Sequence, residues 1–228
     1  MKKVIVLTFV LVMIFSSVAL AMHEFRAPEA DGPVFINVER EGPWEGVEGY
    51  TQELVDENFT LRDYDFEAVP TYYVMWDEDA LYLFIEVEDE NQFFDPIEKG
   101  SAFNGDNDVV QMTINPKGVT HSHIFDIAPT SDVGEALIYE HWVWGGPLDD
   151  EAIVAGNVDE DGYQIEARIP WRLIRGADRI EPGAKFAFGI TLVDSHEEGT
   201  KAGFLSTFPG ALDSLGNAVA WNTLTLVE

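Results

Sequence analysis

The feature that most narrows what this chain can fold into is a two-residue alternation that recurs between Gly162 and Asp194. Tyr163, Ile165, Ala167 and Ile169 alternate with Gln164, Glu166 and Arg168, the pattern of a strand with one buried face and one polar face. Pro170 ends that ladder because it has no N–H to contribute. Trp171 to Ile174 then predicts a brief helical turn, and Pro182-Gly183 predicts a tight turn. A second strand follows, with Phe186, Phe188, Ile190 and Leu192 on one face and Asp194 at its end. Two such strands joined by an Ile-Pro-Trp crossover suit the centre of a β-sandwich.

The same period organises much of the remaining chain. Residues 22–33 read as a lead-in, Val34 to Val38 as a first strand, and Glu39 to Asp65 as a long irregular stretch broken by Gly42-Pro43-Trp44, Gly46 and Gly49. Tyr72–Trp76 and Leu81–Glu88 form a hairpin around Asp77-Glu78-Asp79, with Leu81, Leu83, Ile85 and Val87 sharing one face. Asp108 opens a strand whose core face carries Val110, Met112 and Ile114 and whose other face carries Val109, Gln111 and Thr113. Further strands are predicted over His121–Ala128, Ala136–Trp144, Ile153–Val158 and Ala220–Val227. No helix longer than two turns and no internal repeat is legible. About ten short strands separated by turn signals predict an all-β fold, an antiparallel β-sandwich or jelly roll.

Composition decides where such a domain works. Lys2 and Lys3 precede the apolar run Val4–Ala19, and Ala19-Leu20-Ala21 is a small-x-small cleavage site. Residues 1–21 therefore read as a signal peptide, leaving a single domain over 22–228 that is exported to the periplasm or beyond. The chain of 228 residues has a formal net charge of −29, which repels phosphate backbones and anionic lipid and argues against nucleic-acid and membrane-surface partners. The acids are spread along the sequence rather than clustered, so solubility explains them better than cation binding does. There is no cysteine, which excludes disulfides, thiolate chemistry, a lipobox anchor and covalent haem.

Several phrases, in order, resemble the family 9 carbohydrate-binding modules. Trp76-Asp77-Glu78-Asp79-Ala80-Leu81-Tyr82 is similar to that family's Trp-Asp-x-x-x-Leu-Tyr hairpin, and Asp108-Val109-Val110-Gln111 to its Asp-x-Val-Glu strand entry. Gly162-Tyr163 through Glu166 to Ile169-Pro170-Trp171 resembles its Gly-Tyr…Glu…Ile-Pro-Trp phrase. Pro182-Gly183 through Asp194 and Trp221-Asn222-Thr223-Leu224-Thr225-Leu226 match its last two strands. The resemblance implies a sandwich that binds carbohydrate without catalysis, in association with polysaccharide breakdown. Sugar-binding members clamp a terminal sugar between two tryptophans. Here Phe103-Asn104-Gly105 stands at one clamp position, and the other loop offers Phe204 and Phe208. Gln111 replaces the family's sugar-contacting Glu, and the polar pair of the next strand falls near Asp126 and Ala128.

A sugar site needs an aromatic face for the C–H side of the ring and planar polar groups for paired hydroxyls. Phe103, Gln111, Trp142 and Trp144 are the candidates, with the tryptophans serving equally well to cover an exposed sheet face or a partner contact. Trp76 and Trp171 read as packed core residues. The family also binds calcium structurally, and the resemblance implies Asp31 and Asp194 as its oxygen donors; solvated turn carboxylates are the alternative. His121 and His123 share a strand face but lack further ligands at metal spacing, so surface or packed histidines are the simpler reading. Haem held by Met112 and His123, in an exported electron-transfer domain, is a second reading, and a protein-interaction domain a third. No nucleophile elbow, P-loop or zinc-protease phrase occurs.

Overall fold

The alternating stretch becomes two strands that lie in two different sheets. In a computed structural model of the protein, the residues described are 24–51, 55–56, 68–92, 94, 107–116, 122–130, 135–140, 146–148, 151–195, 203–206 and 222–228. They form β1 (Glu24–Pro28), β2 (Tyr50–Thr51), β3 (Val55–Asp56), β4 (Val69–Trp76), β5 (Ala80–Glu88), β6 (Val109–Pro116) and β7 (His123–Pro129). There follow β8 (Ala136–Glu140), β9 (Gly146–Pro147), β10 (Ile153–Val158), β11 (Gly162–Pro170), β12 (Lys185–Asp194), β13 (Gly203–Ser206) and β14 (Asn222–Val227). A nine-stranded sheet runs β1-β14-β12-β6-β7-β8-β9, with β13 and β3 added beside β12, and a five-stranded sheet runs β10-β11-β5-β4-β2. Every pairing is antiparallel except β1 with β14.

The core lies between the sheets, and the period-2 pattern names its residues. Tyr163, Ile165, Ala167 and Ile169 of β11 meet Phe186, Phe188, Ile190 and Leu192 of β12, with Leu81, Leu83 and Ile85 of β5 beside them. Each large apolar side chain buried this way stabilises the fold by about 1.5–3 kcal/mol relative to exposure. The crossover is tied at both ends. Trp171 donates its indole N–H to the Asp77 carbonyl at 2.8 Å and stacks on Phe186, while Trp76 donates to the Val227 carbonyl at 3.0 Å. Both tryptophans are packed, as the sequence implied. Glu181 to Ala184 closes a type II turn, with a 3.0 Å bond from Ala184 N–H to the Glu181 carbonyl and Gly183 at φ 89°. At the start of β11, a Cβ on Gly162 would stand 1.9 Å from the Val87 carbonyl oxygen, so the close pairing with β5 needs glycine there.

The N-terminal region departs from the sequence reading. The first strand is Glu24–Pro28, inside the expected lead-in, whereas Val34–Val38 carries no ladder. The strand forms because β14, from the far end of the chain, offers it an edge: Phe25 and Ala27 are fully buried, and Phe25 packs against Tyr50 and Phe188. Val34 and Ile36 do alternate, but they do so across the outer face of the five-stranded sheet. That face is apolar, built from Tyr73, Met75, Tyr82 and Phe84, and Trp44, Val34, Ile36 and Val47 cover it. One carboxylate fixes this strap. Glu166 is fully buried and accepts from the Asn37 and Val38 amides at 2.8 Å each and from the Trp44 indole at 2.8 Å. Successive amides converging on one anion make a nest, and Val38 sits at φ 60° to complete it.

Candidate functional site

The outer face of the nine-stranded sheet has the opposite character. Strand register places Thr191 opposite Gln111, Gln111 opposite Asp126, and Asp126 opposite Tyr139, so four adjacent strands present one polar row. Directly opposed residues share a face with Cβ atoms about 5 Å apart. Gln111 donates from Nε2 to Asp126 Oδ1 at 2.9 Å. A carboxylate can only accept here, so the bond sets the amide with its carbonyl turned away from Asp126. The pair thereby offers a fixed carbonyl acceptor beside a carboxylate. Thr191 and Asp126 are buried, while Gln111 and Tyr139 are half-buried. Next to this row, Val109, Ala128 and Val193 form a small apolar cluster on the same face.

A second constellation stands where β5, β6 and β12 end or begin. Asp89 follows β5, Asp108 precedes β6 and Asp194 closes β12; carboxylate oxygens of the three lie within 4.8 Å of one another, and all three residues are buried. Two unit charges at that separation repel by about 3 kcal/mol at an effective dielectric of about 20. Asp89 Oδ1 accepts from the Asn91 amide at 2.8 Å and Asp108 Oδ1 from the Ser195 amide at 2.7 Å. Two neutral oxygens accompany them. The Tyr163 hydroxyl and Ser195 Oγ are buried with no hydrogen-bond partner among the described residues. Burial pushes the Tyr163 hydroxyl well above the usual phenol range, and the charges of Asp108, Asp89 and Asp194 push it further. An all-oxygen set around converging carboxylates fits a hard divalent cation, and oxygens this close together can share one ion.

The structure distributes the residues singled out from the sequence as follows. Gln111 lies in the polar row, and Asp126 is its hydrogen-bonded neighbour. Phe103, Trp142, Trp144 and His121 lie outside the described residues. Asp194 is in the carboxylate cluster. Asp31 is exposed and follows Pro28, which pairs with Val227 at the sheet end where β12 begins, whereas Asp194 closes β12 at its other end. Ten strand residues at about 3.3 Å each separate those ends by about 30 Å, so the structure does not bring the two together. His123 is buried, accepts the Arg175 amide N–H on Nε2 at 2.8 Å and holds Nδ1 3.4 Å from Glu140 Oε1. Met112 packs in the core opposite Phe125. Sequence reasoning missed Asp89 and Asp108 as partners of Asp194; the available signal was an Asp at the end of each alternating run.

This architecture can now be set beside known proteins. The carbohydrate family 9 binding domain-like family matches residues 39–228, and the chain belongs to that family. A carbohydrate binding module family 9 from Caldicellulosiruptor kristjanssonii, in complex with cellotriose, is similar with a TM-score of 0.65 at 14% identity, covering 90% of this chain and 93% of that one. The module from the same organism in complex with glucose gives a TM-score of 0.64 at 14% identity, covering 88% of this chain and 95% of that one. At this identity the likeness is one of fold. No curated protein matches the sequence.

Proposed function

We propose that this chain is an exported, non-catalytic carbohydrate-binding domain that holds mono- or oligosaccharides for polysaccharide breakdown, with a structural calcium ion. The observation that carries the reading is the Gln111–Asp126 pair, fixed at 2.9 Å in the polar row of a family 9 fold. Its acceptors and the remaining amide N–H suit adjacent sugar hydroxyls. A row containing Asp126, on a chain of net charge −29, favours neutral sugars over uronates or sulfated glycans. The solved relatives in complex with glucose and cellotriose support the same substrate class. Phe103, which leads into β6, and Trp142 and Trp144, which follow β8, are assigned the aromatic surface of the site. The calcium is assigned to Asp89, Asp108 and Asp194, where the residues present fit it.

Export rests on the leader over residues 1–21, and a mature N-terminus at Met22 in the exported protein is the expected result of terminal sequencing. The binding reading is tested by isothermal titration of the calcium-supplemented protein with glucose, cellotriose and a panel of neutral oligosaccharides. Saturable binding is expected, weakened about tenfold or more by Gln111→Ala and by Asp126→Ala. Silence across the panel overturns it.

A further inference from the structure

The cation site and the polar row are built on the same two strands, and this has a functional consequence. Asp108 stands three residues before Gln111 at the start of β6, and Asp194 three residues after Thr191 at the end of β12. At about 3.3 Å per residue, the carboxylates lie about 10 Å from the row along each strand. β6 and β12 are hydrogen-bonded neighbours there, with Val193 opposite Val109 and Thr191 opposite Gln111. Asp89 belongs to the other sheet, at the end of β5. The three carboxylates therefore close one end of the sandwich across the gap between its sheets. Asp89 also lines a surface hollow of about 640 Å³ with Glu88, Glu90 and Asp161, an acidic approach for a cation.

We propose that Asp89, Asp108 and Asp194, with the partnerless hydroxyls of Tyr163 and Ser195, form a calcium-dependent switch that sets the alignment of β6 and β12 and so turns the sugar face on and off. Without a cation the buried carboxylates repel, and the ends of β6, β12 and β5 spread. With one shared between them, Asp108 and Asp194 hold the adjoining ends of β6 and β12 in register. The hydrogen bond from the Ser195 amide N–H to Asp108 Oδ1 ties the end of β12 to the start of β6, and it is made only while the two ends are together. Tyr163 and Ser195 supply independent support: among the described residues neither buried hydroxyl has a hydrogen-bond partner, and Ser195 directly follows Asp194 while its amide N–H donates to Asp108. The link to sugar rests on the proposed function, whereas the strand alignment does not.

The experiment uses the mature protein stripped with a chelator and then titrated with calcium chloride alone. One calcium per chain is expected, with a melting temperature raised by about 5–10 °C at saturation. Hydrogen exchange at the amides around Gln111 and Thr191 should slow on calcium addition. Sugar affinity should rise about tenfold or more between the stripped and loaded forms. Asp194→Asn removes one buried charge; its stripped form should melt above the stripped wild type, and calcium should move neither its melting temperature nor its exchange. Calcium binding that leaves exchange in β6 and β12 unchanged overturns the proposal, as does a wild type that binds no calcium. Calcium-dependent protection in a protein that ignores every sugar upholds the alignment device and overturns the carbohydrate reading instead.

Discussion

The two outer faces of the sandwich are made from the same alternating strands and end in opposite states. The five-stranded sheet shows Tyr73, Met75, Tyr82 and Phe84 outward, and the chain folds Val34, Ile36, Trp44 and Val47 over them. The nine-stranded sheet shows Thr191, Gln111, Asp126 and Tyr139 in one row. An apolar face that size has to be covered, whereas a face of amides and carboxylates is of use only where a ligand can reach it. The contrast teaches where to look for function: at half-buried Gln111 and Tyr139, where the polar row reaches the surface, rather than on the face sealed by the strap.

The largest expected effect breaks the seal. Glu166→Ala leaves the Asn37 and Val38 amides and the Trp44 indole without their acceptor in a buried place. A loss of about 3–5 kcal/mol is expected in urea denaturation. Asp126→Ala on the other face should cost about 1 kcal/mol while weakening sugar binding, and Glu166→Ala in calcium, measured below its melting transition, should leave sugar affinity nearly intact. Both substitutions remove a carboxylate from a strand's non-core face. If both altered stability and affinity alike, the division between a sealed and a working face would fall.

This same residue marks the limit of what the sequence discloses. The alternation correctly names the core faces of β5, β6, β11 and β12, because each strand's burial is decided by its own period. Glu166 reads as a solvent-facing residue by that rule, yet it is fully buried, because the strap that covers it comes from residues more than a hundred positions away. β1 escapes for a similar reason: its burial depends on β14, the last strand of the chain, which local sequence does not disclose. Gln111 and Asp126 were reachable through the family phrases. The carboxylate cluster was only half reachable, since Asp194 announces itself at a strand end but its neighbours come from strand ends in both sheets.

A smaller effect belongs to the sealed face at high pH. Burial first, and then the 2.6 Å hydrogen bond to Asp77, push the Tyr82 hydroxyl up to about 12. In the unfolded chain a tyrosine ionises near about 10. A group whose folded value is raised contributes stability in full below the unfolded value and loses it as pH rises through the folded one. The denaturation midpoint should therefore fall between pH of about 10 and 12, less steeply in Tyr82→Phe. An unchanged slope in that variant would assign the alkaline loss to the other buried tyrosines.

The smallest effect tests the strap at a single torsion. Val38 holds φ 60°, a conformation that a β-branched side chain adopts at a cost of about 1–3 kcal/mol. The cost is borne because only that turn brings two successive amides onto one oxygen of Glu166. Val38→Gly removes the strain but frees the unfolded chain and gives up a half-buried side chain, so a net gain of only about 0.5–1 kcal/mol is expected. The informative measurement is the double variant. With Glu166→Ala already in place the nest has no anion and the torsion no purpose, so the gain from Val38→Gly should shrink toward zero. An undiminished gain would mean that the strain belongs to the loop itself, and that Glu166 holds the strap through Trp44 alone.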